Sequence, residues 1–88
     1  MQVIVSAHAA HRLEQRLRIR PRKMVSFAHK VWVKGTDPSP GWVNHKAKLG
    51  HTEVIYKILM GYIFAFAPHG ETVVLKTILP RKHDNDIL

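Results

Sequence analysis

The hydrophobic and polar positions divide the chain into a helical first part and a strand-rich last part. A short β-branched run at residues 3–5 is followed by apolar residues at every fourth position, namely Ala9, Leu13 and Leu17. That spacing is typical of one face of a helix. Ser6 stands where an N-terminal cap is expected, because its hydroxyl can accept a bond from an unpaired backbone N–H. The pattern therefore predicts a strand followed directly by an amphipathic helix.

A second helix is predicted over residues 21–33. Pro21 suits the first turn of a helix and disfavours helical backbone at the residue before it, so the first helix should end near residue 20. Gly35 is a natural C-terminal stop. The apolar residues of this segment follow the helical spacing i, i+3, i+4, i+7 and i+8 and are Met24, Phe27, Ala28, Val31 and Trp32.

Three runs rich in β-branched and aromatic residues follow residue 53. They read EVIYKILM, GYIFAFA and ETVVLKTIL, with turn residues between them, and they predict an antiparallel meander. Pro80 is expected to end the sheet. In the last run, strict alternation predicts one common face for Val73, Leu75, Thr77 and Leu79.

These elements predict a single α+β domain in which two N-terminal helices pack on a three- to four-stranded antiparallel sheet. A chain of 88 residues has room for one core. Its predicted parts are a strand and two helices at residues 1–35, a polar loop at 36–52, the meander at 53–80 and a tail at 81–88.

The charge of the chain points to an anionic partner. Fourteen Lys and Arg residues face six Asp and Glu residues, for a net charge of +8, and there is no cysteine for a disulfide or a thiolate. The longest apolar stretch, residues 54–67, is interrupted by Lys57 and Gly61 and is shorter than the roughly 20 residues that cross a bilayer. With no signal-peptide pattern, we expect a soluble, cytoplasmic protein without a membrane partner.

A polar line runs along the first helix beside its apolar face. His8, Arg12 and Arg16 stand four residues apart. Arginine offers a planar fork of donors to phosphate, and histidine exchanges a proton near neutral pH. RNA cleavage uses such groups, because the 2′-hydroxyl loses a proton, the 5′-oxygen gains one and the phosphorane charge is neutralised. A solvated basic helix surface accounts for the same spacing, so both interpretations stay open.

Other polar residues offer further chemistry. His8 and His11 could begin a metal site, but zinc needs more ligands and no others stand at a recognised spacing, so no metal and no cofactor is predicted. Lys76 either guards an exposed sheet edge or belongs to a site, and the Thr77 hydroxyl is either bonded locally or placed beside the first helix. Trp42 with Lys46 and Lys48 is the most RNA-like combination in the loop. The predicted nucleic-acid-binding residues are Arg16, Arg20, Arg22, Lys23, Lys46, Lys48 and Lys76.

The order of elements and two short motifs resemble a known family. A strand, an H-A-x-x-R-x-x-x-R helix, a second helix and a meander with a threonine in its last strand are similar to small bacterial and phage domains assigned to the RelE/barnase-like ribonuclease-toxin fold. The matching residues are His8, Ala9, Arg12 and Arg16 in HAAHRLEQR and Thr77 in VVLKTILP. The resemblance covers nearly the whole chain.

The resemblance implies two helices on one face of a curved antiparallel sheet and a basic concave surface for RNA. It also implies that a histidine and an arginine of the helix act with a polar residue of the last strand. In this chain the implied catalytic residues are His8, Arg12 and Thr77. Members of this fold that only bind are implied as well.

Three functions follow from these observations. The leading hypothesis is a small basic, RNA-directed domain of the ribonuclease-toxin type, a monomer or homodimer, with RNA or another anionic surface and an acidic antitoxin as partners. The alternative is a non-catalytic, phage-type protein that inhibits a host nucleic-acid enzyme or defence protein. It fits an exposed apolar sheet surface predicted from Val54, Tyr56, Tyr62, Phe64 and Phe66. A DNA-binding helix pair is disfavoured, because Pro21 lies in the turn and the recognition face lacks Asn and Gln.

Overall fold

The chain folds into two helices and a four-stranded sheet, which confirms the α+β class. The computed structural model describes residues 2–37 and 54–80. The predicted tail and nearly all of the predicted loop lie outside these residues. The elements are β1 (Gln2–Val5), α1 (Ala7–Leu17), a 3₁₀ turn (Pro21–Lys23), α2 (Met24–Lys34), β2 (Ile55–Leu59), β3 (Tyr62–His69) and β4 (Thr72–Pro80).

Both helices bury the apolar positions predicted for them. Ala9 and Leu13 of α1 and Ala28 and Val31 of α2 are completely buried. They pack on one face of the sheet, which we call the proximal face. The contact removes the apolar surfaces of both the helices and the sheet from water. The strand residues of this core are Val3, Phe64, Phe66, Val73, Leu75 and Ile78.

The second helix begins three residues later than predicted. Pro21 opens a 3₁₀ turn, closed by the Met24 N–H bonding to the Pro21 carbonyl, and the α-helix starts only at Met24. Such turns are common at helix N-termini. Gly35 ends the helix as predicted, and a glycine is needed there because neighbouring atoms leave no room for a side chain. A Cβ on Gly35 would lie 2.6 Å from the Val31 carbonyl oxygen and 2.8 Å from the Lys57 Cβ.

The prediction of a wholly antiparallel sheet is wrong at one strand. The strand order is β1-β4-β3-β2, and β1 runs parallel to β4 while the other neighbours are antiparallel. Parallel neighbours need a long crossover, which the two helices and the hairpins supply here. The last strand is therefore interior over residues 72–75, and Lys76 lies one residue beyond the end of its pairing with β1.

The predicted face of Thr77 is wrong as well, because β4 contains an irregularity. Phe66 pairs with Leu75, whereas Ala65 pairs with Thr77, so the register shifts by one residue and Lys76 has no partner on β3. This β-bulge interrupts the alternation of the strand. Val73, Leu75 and Ile78 consequently share the proximal face, and Leu79 packs in a separate cluster on the opposite, distal face.

The helices and the register of β2 on β3 also exclude the exposed apolar surface that was predicted. Phe64 and Phe66 are completely buried under the helices, and Tyr62 packs against the same core. Tyr56 belongs instead to the distal cluster, with Val54 packed beside it. The five aromatic and aliphatic residues therefore do not form one surface.

Candidate functional site

Helix α1 lies along β4 on the side opposite β3, beyond the point where β1 ends. β1 ends at Val5, and beyond that point three groups of the helix segment bond to carbonyl oxygens of β4. The Ser6 N–H donates to Leu75 at 3.1 Å. The Ser6 hydroxyl donates to Lys76 at 3.2 Å, and the Arg16 guanidinium donates to Ile78 at 2.8 Å. Because these bonds take the place of a neighbouring strand, the polar line of α1 runs beside β4.

The closest side-chain contact across this junction joins His8 and Thr77. The His8 Nε2 lies 3.0 Å from the Thr77 Oγ1, and the two residues are 69 positions apart. The hydroxyl donates to this nitrogen when the nitrogen carries no proton and accepts from it otherwise. The His8 side chain is exposed. Of the two positions left open for the Thr77 hydroxyl, a local bond and a place beside the first helix, the structure shows the second, and the hydroxyl reaches the helix from the distal face.

The two arginines of the polar line have different surroundings. Arg12 is half-buried and donates from Nη1 to the Gln15 side chain at 3.4 Å. Arg16 is tied to the Ile78 carbonyl, and its own carbonyl accepts from the Tyr62 hydroxyl at 3.4 Å. The structure therefore gives Arg16 a structural contact, and its role in holding phosphate stays a prediction.

A cavity of about 360 Å³ opens on the distal face next to the His8–Thr77 pair. Thr77 itself forms part of the wall, so the residue that contacts the imidazole also borders the cavity. We call this space the distal cavity. Its lining residues are Val54, Tyr56, Ala65, Ala67, Lys76, Thr77 and Leu79.

Three polar groups of different chemistry border the distal cavity. Lys76, the unpaired residue of the bulge, is exposed and brings an ammonium group beside Thr77. Burial raises the pKa of the Tyr56 phenol, so this group is protonated at neutral pH and has a proton to donate. Together with His8, the site offers an acid–base group, a cation, a hydroxyl and a phenol against an otherwise apolar wall.

The other predicted cations lie elsewhere. Arg20, Arg22 and Lys23 stand at the turn between the helices, all three exposed, and they line a different pocket. Lys46 and Lys48, like Trp42, fall outside the described residues. The site around His8 thus brings together His8, Thr77 and Lys76, with Arg12 one helical turn away.

Two absences concern the part of the chain that the structure describes. Within residues 2–37 and 54–80, no three histidine or acidic side chains come together as metal ligands would. Neither of the two α-helices there, each of 11 residues, has the length and apolar character needed to span a membrane.

Several features of the site were not predicted from the sequence. The distal cavity depends on which residues of three strands share a face, and the bulge changes that assignment within β4. The alternation of Tyr56 and Ile58 in β2 could have indicated their common face. No pattern within β4 could have indicated its interior position in the sheet, because its partner β1 is distant in sequence.

No protein-family model, no curated protein and no solved structure matches this chain.

Proposed function

We propose that the protein is a small basic, RNA-directed domain of the ribonuclease-toxin type that cleaves RNA without a metal ion. The observation that carries the proposal is the 3.0 Å contact between the His8 Nε2 and the Thr77 Oγ1 at the border of the distal cavity. An imidazole that is held by a hydroxyl, beside a cavity with a lysine in its wall, is the kind of group that moves protons in catalysis. The net charge of +8 supports an anionic substrate.

The proposed roles follow from the surroundings of each group. Thr77 orients the imidazole through Nε2, which leaves Nδ1 of the exposed His8 to take the proton of the 2′-hydroxyl. The 2′-oxygen then attacks phosphorus, and the bond from phosphorus to the 5′-oxygen breaks. Arg12 neutralises the charge of the phosphorane, and the Lys76 ammonium gives a proton to the leaving 5′-oxygen. The products are a 2′,3′-cyclic phosphate and a 5′-hydroxyl.

The proposed setting is the cytoplasm of a bacterial cell. RNA is the proposed substrate, and an acidic antitoxin is the proposed protein partner, because a protein with a strong positive charge attracts an acidic one. Antitoxin binding over the His8–Thr77 pair would block the distal cavity as well, since Thr77 belongs to both.

The test is cleavage of a short single-stranded RNA by the purified protein in the presence of EDTA, with the ends of the products identified by mass spectrometry. We expect a 2′,3′-cyclic phosphate end, and no cleavage where the 2′-hydroxyl is replaced by hydrogen. His8→Ala should reduce the rate about 100-fold or more, which is the usual size of a general acid–base contribution. Thr77→Val should reduce it less, and Thr77→Ser, which keeps the hydroxyl, should restore it.

His11→Ala is the matched control, because His11 is also an exposed histidine and lies on the same helix. Its rate should equal that of the unmodified protein. The proposal is wrong if His8→Ala and His11→Ala cleave at the same rate, or if RNA is bound and never cleaved. The second result would favour the non-catalytic binding protein.

A further inference from the structure

A second concave surface lies at the other end of α1, away from the His8–Thr77 pair. It is a pocket of about 560 Å³ between the end of α1, the 3₁₀ turn and α2, and we call it the basic pocket. Arg18, which follows the helix, is about 15 Å from His8 along the helix axis, at 1.5 Å per residue. The pocket volume is in the range of small-ligand sites. Its lining residues are Arg18, Ile19, Arg20, Arg22, Lys23, Ser26, Phe27 and Lys30.

The positive charge of the basic pocket is not compensated by the described residues. Five of its eight lining residues are cationic, and none is acidic. Over residues 2–37 and 54–80, the ion pair that forms joins Lys57 and Asp37, which lie outside the pocket. Unpaired cations around a concavity focus the electrostatic potential, so an anion gains more there than on a flat surface.

The basic pocket continues into a neighbouring one along α1. A second cavity of about 360 Å³ shares Arg18, Ile19 and Arg20 with it and extends to Glu14, Gln15 and Pro21. Gln15 accepts a hydrogen bond from Arg12, which belongs to the polar line of the candidate site. Polar side chains therefore extend from His8 along α1 to the basic pocket, with one carboxylate, that of Glu14, among them.

The aromatic residue of the basic pocket, Phe27, indicates which kind of polyanion the pocket would bind. Phe27 is half-buried, and its ring packs against Phe64 with centroids 5.9 Å apart, so the ring has a fixed orientation. A fixed aromatic ring beside cations suits a nucleobase and its phosphate, because bases stack on aromatic faces. A membrane surface would instead need apolar side chains that protrude beyond the cations. Here the apolar lining residues, Ile19 and Phe27, are half-buried, whereas the five cationic residues are exposed.

We propose that the basic pocket is a second RNA subsite, which holds a phosphate and a base of single-stranded RNA flanking the residue at His8. The inference rests on the proposed RNA-directed function but concerns binding rather than cleavage. It adds Arg18, Lys30 and Phe27 to the RNA-binding residues and gives Arg20, Arg22 and Lys23 a common ligand. The guanidinium groups bind the phosphate as planar donors, and Phe27 stacks on the base.

The experiment measures fluorescence anisotropy of a labelled 12-nucleotide RNA over a series of salt concentrations. All proteins carry His8→Ala, so that cleavage does not interfere. The pocket variant Arg22→Ala/Lys30→Ala is compared with Lys34→Ala/Lys57→Ala, which removes the same charge outside the pocket. We expect the pocket variant to bind RNA at least about 10-fold more weakly. The slope of log K against log salt, which is negative, should become shallower by about 1.4, because two phosphate contacts of about 0.7 each are lost. The control should keep the slope.

Two further measurements examine the ligand itself. In an NMR titration, inorganic phosphate should shift the amide signals of the pocket residues, and uridine monophosphate should bind more tightly than phosphate. Phe27→Leu, which keeps an apolar side chain against Phe64, should remove this extra affinity and leave phosphate binding intact. A glutamate-rich peptide or anionic lipid vesicles should compete with the RNA only weakly.

The inference is overturned if the pocket and control variants lose affinity equally, since net charge alone would then explain binding. It is also overturned if the peptide or the vesicles bind the pocket as tightly as the RNA does. Failure of the proposed cleavage has a separate signature. In that case the unmodified protein leaves RNA intact and still shows the pocket-dependent salt slope.

Discussion

Among single side chains, Tyr56 has the clearest dependence on solution conditions. It lies on the distal face and is 7% exposed, and burial raises the pKa of its phenol above the ordinary value of 10.0. The folded protein therefore holds this proton more tightly than the unfolded chain does. As pH rises past the unfolded pKa, the unfolded state loses the proton first, so unfolding becomes more favourable.

We predict that the free energy of unfolding falls more steeply above pH 10 in the unmodified protein than in Tyr56→Phe. One proton contributes at most about 1.4 kcal/mol per pH unit, and below pH 9 the difference between the two proteins should be constant. Urea unfolding at a series of pH values measures this. Parallel curves for the two proteins between pH 9 and pH 11 would show that the phenol ionises equally in both states.

Thr77, which lines the same cavity as Tyr56, shows how far the position of a single residue can be predicted from sequence. The hydroxyl of Thr77 within an aliphatic run needs a hydrogen-bond partner, and that requirement left two positions open, a local bond or a place beside the first helix. His8 is that partner. The face of the strand could not be assigned, because a bulge arises from the pairing of two strands and leaves no pattern within one of them.

At the scale of elements, Ser6 joins the helix to the sheet. Its hydroxyl accepts from the Ala9 N–H at 3.1 Å and so caps α1, and it donates to the Lys76 carbonyl at 3.2 Å. The cap was predictable from sequence, because serine before an apolar helical pattern is a standard start signal. The second bond was not, since it depends on α1 taking the place of a strand beside β4.

Ser6→Ala should therefore destabilise the protein by about 1–2 kcal/mol, the upper part of the range for a lost helix cap. Ser26→Ala is the matched control, because the Ser26 hydroxyl is exposed and bonds only within its own turn, to the Lys23 carbonyl. That change should stay within about 0.5 kcal/mol. Denaturant midpoints at a constant m-value provide the comparison, and equal losses for the two serines would contradict a special role for Ser6.

For the whole molecule, the elements were easier to predict than their arrangement. Hydrophobic periodicity identified two helices and four strands, because each pattern lies within a dozen consecutive residues. The order β1-β4-β3-β2 depends on a pairing between the first strand and the last. Val3 pairs with Val73, and nothing in either segment specifies the other. The position of the candidate site could not be predicted for the same reason, because the site forms where those two segments meet.

The same topology predicts the order of folding. Bringing β1 to β4 closes a loop of about 70 residues, whereas the hairpin of β3 and β4 is local, so the entropic cost of the first is larger. We expect a φ-value below about 0.3 for Val3→Ala and a higher one for Ile63→Val, which lies in the hairpin. Folding and unfolding rates over a range of denaturant give both values, and the reverse order would mean that β1 pairs early.

The bulge at Lys76 has a consequence for how relatives of this protein should be compared. One inserted residue in β4 exchanges the two faces of the strand beyond it, so Thr77 and Ile78 lie on the faces opposite to those expected from Leu75. A single-residue insertion or deletion at this point would therefore move a hydroxyl between the core and the site without altering any other strand. An ungapped alignment through this strand would pair functional threonines with core positions. Superposition of the site atoms, beginning with the imidazole on α1, avoids that error.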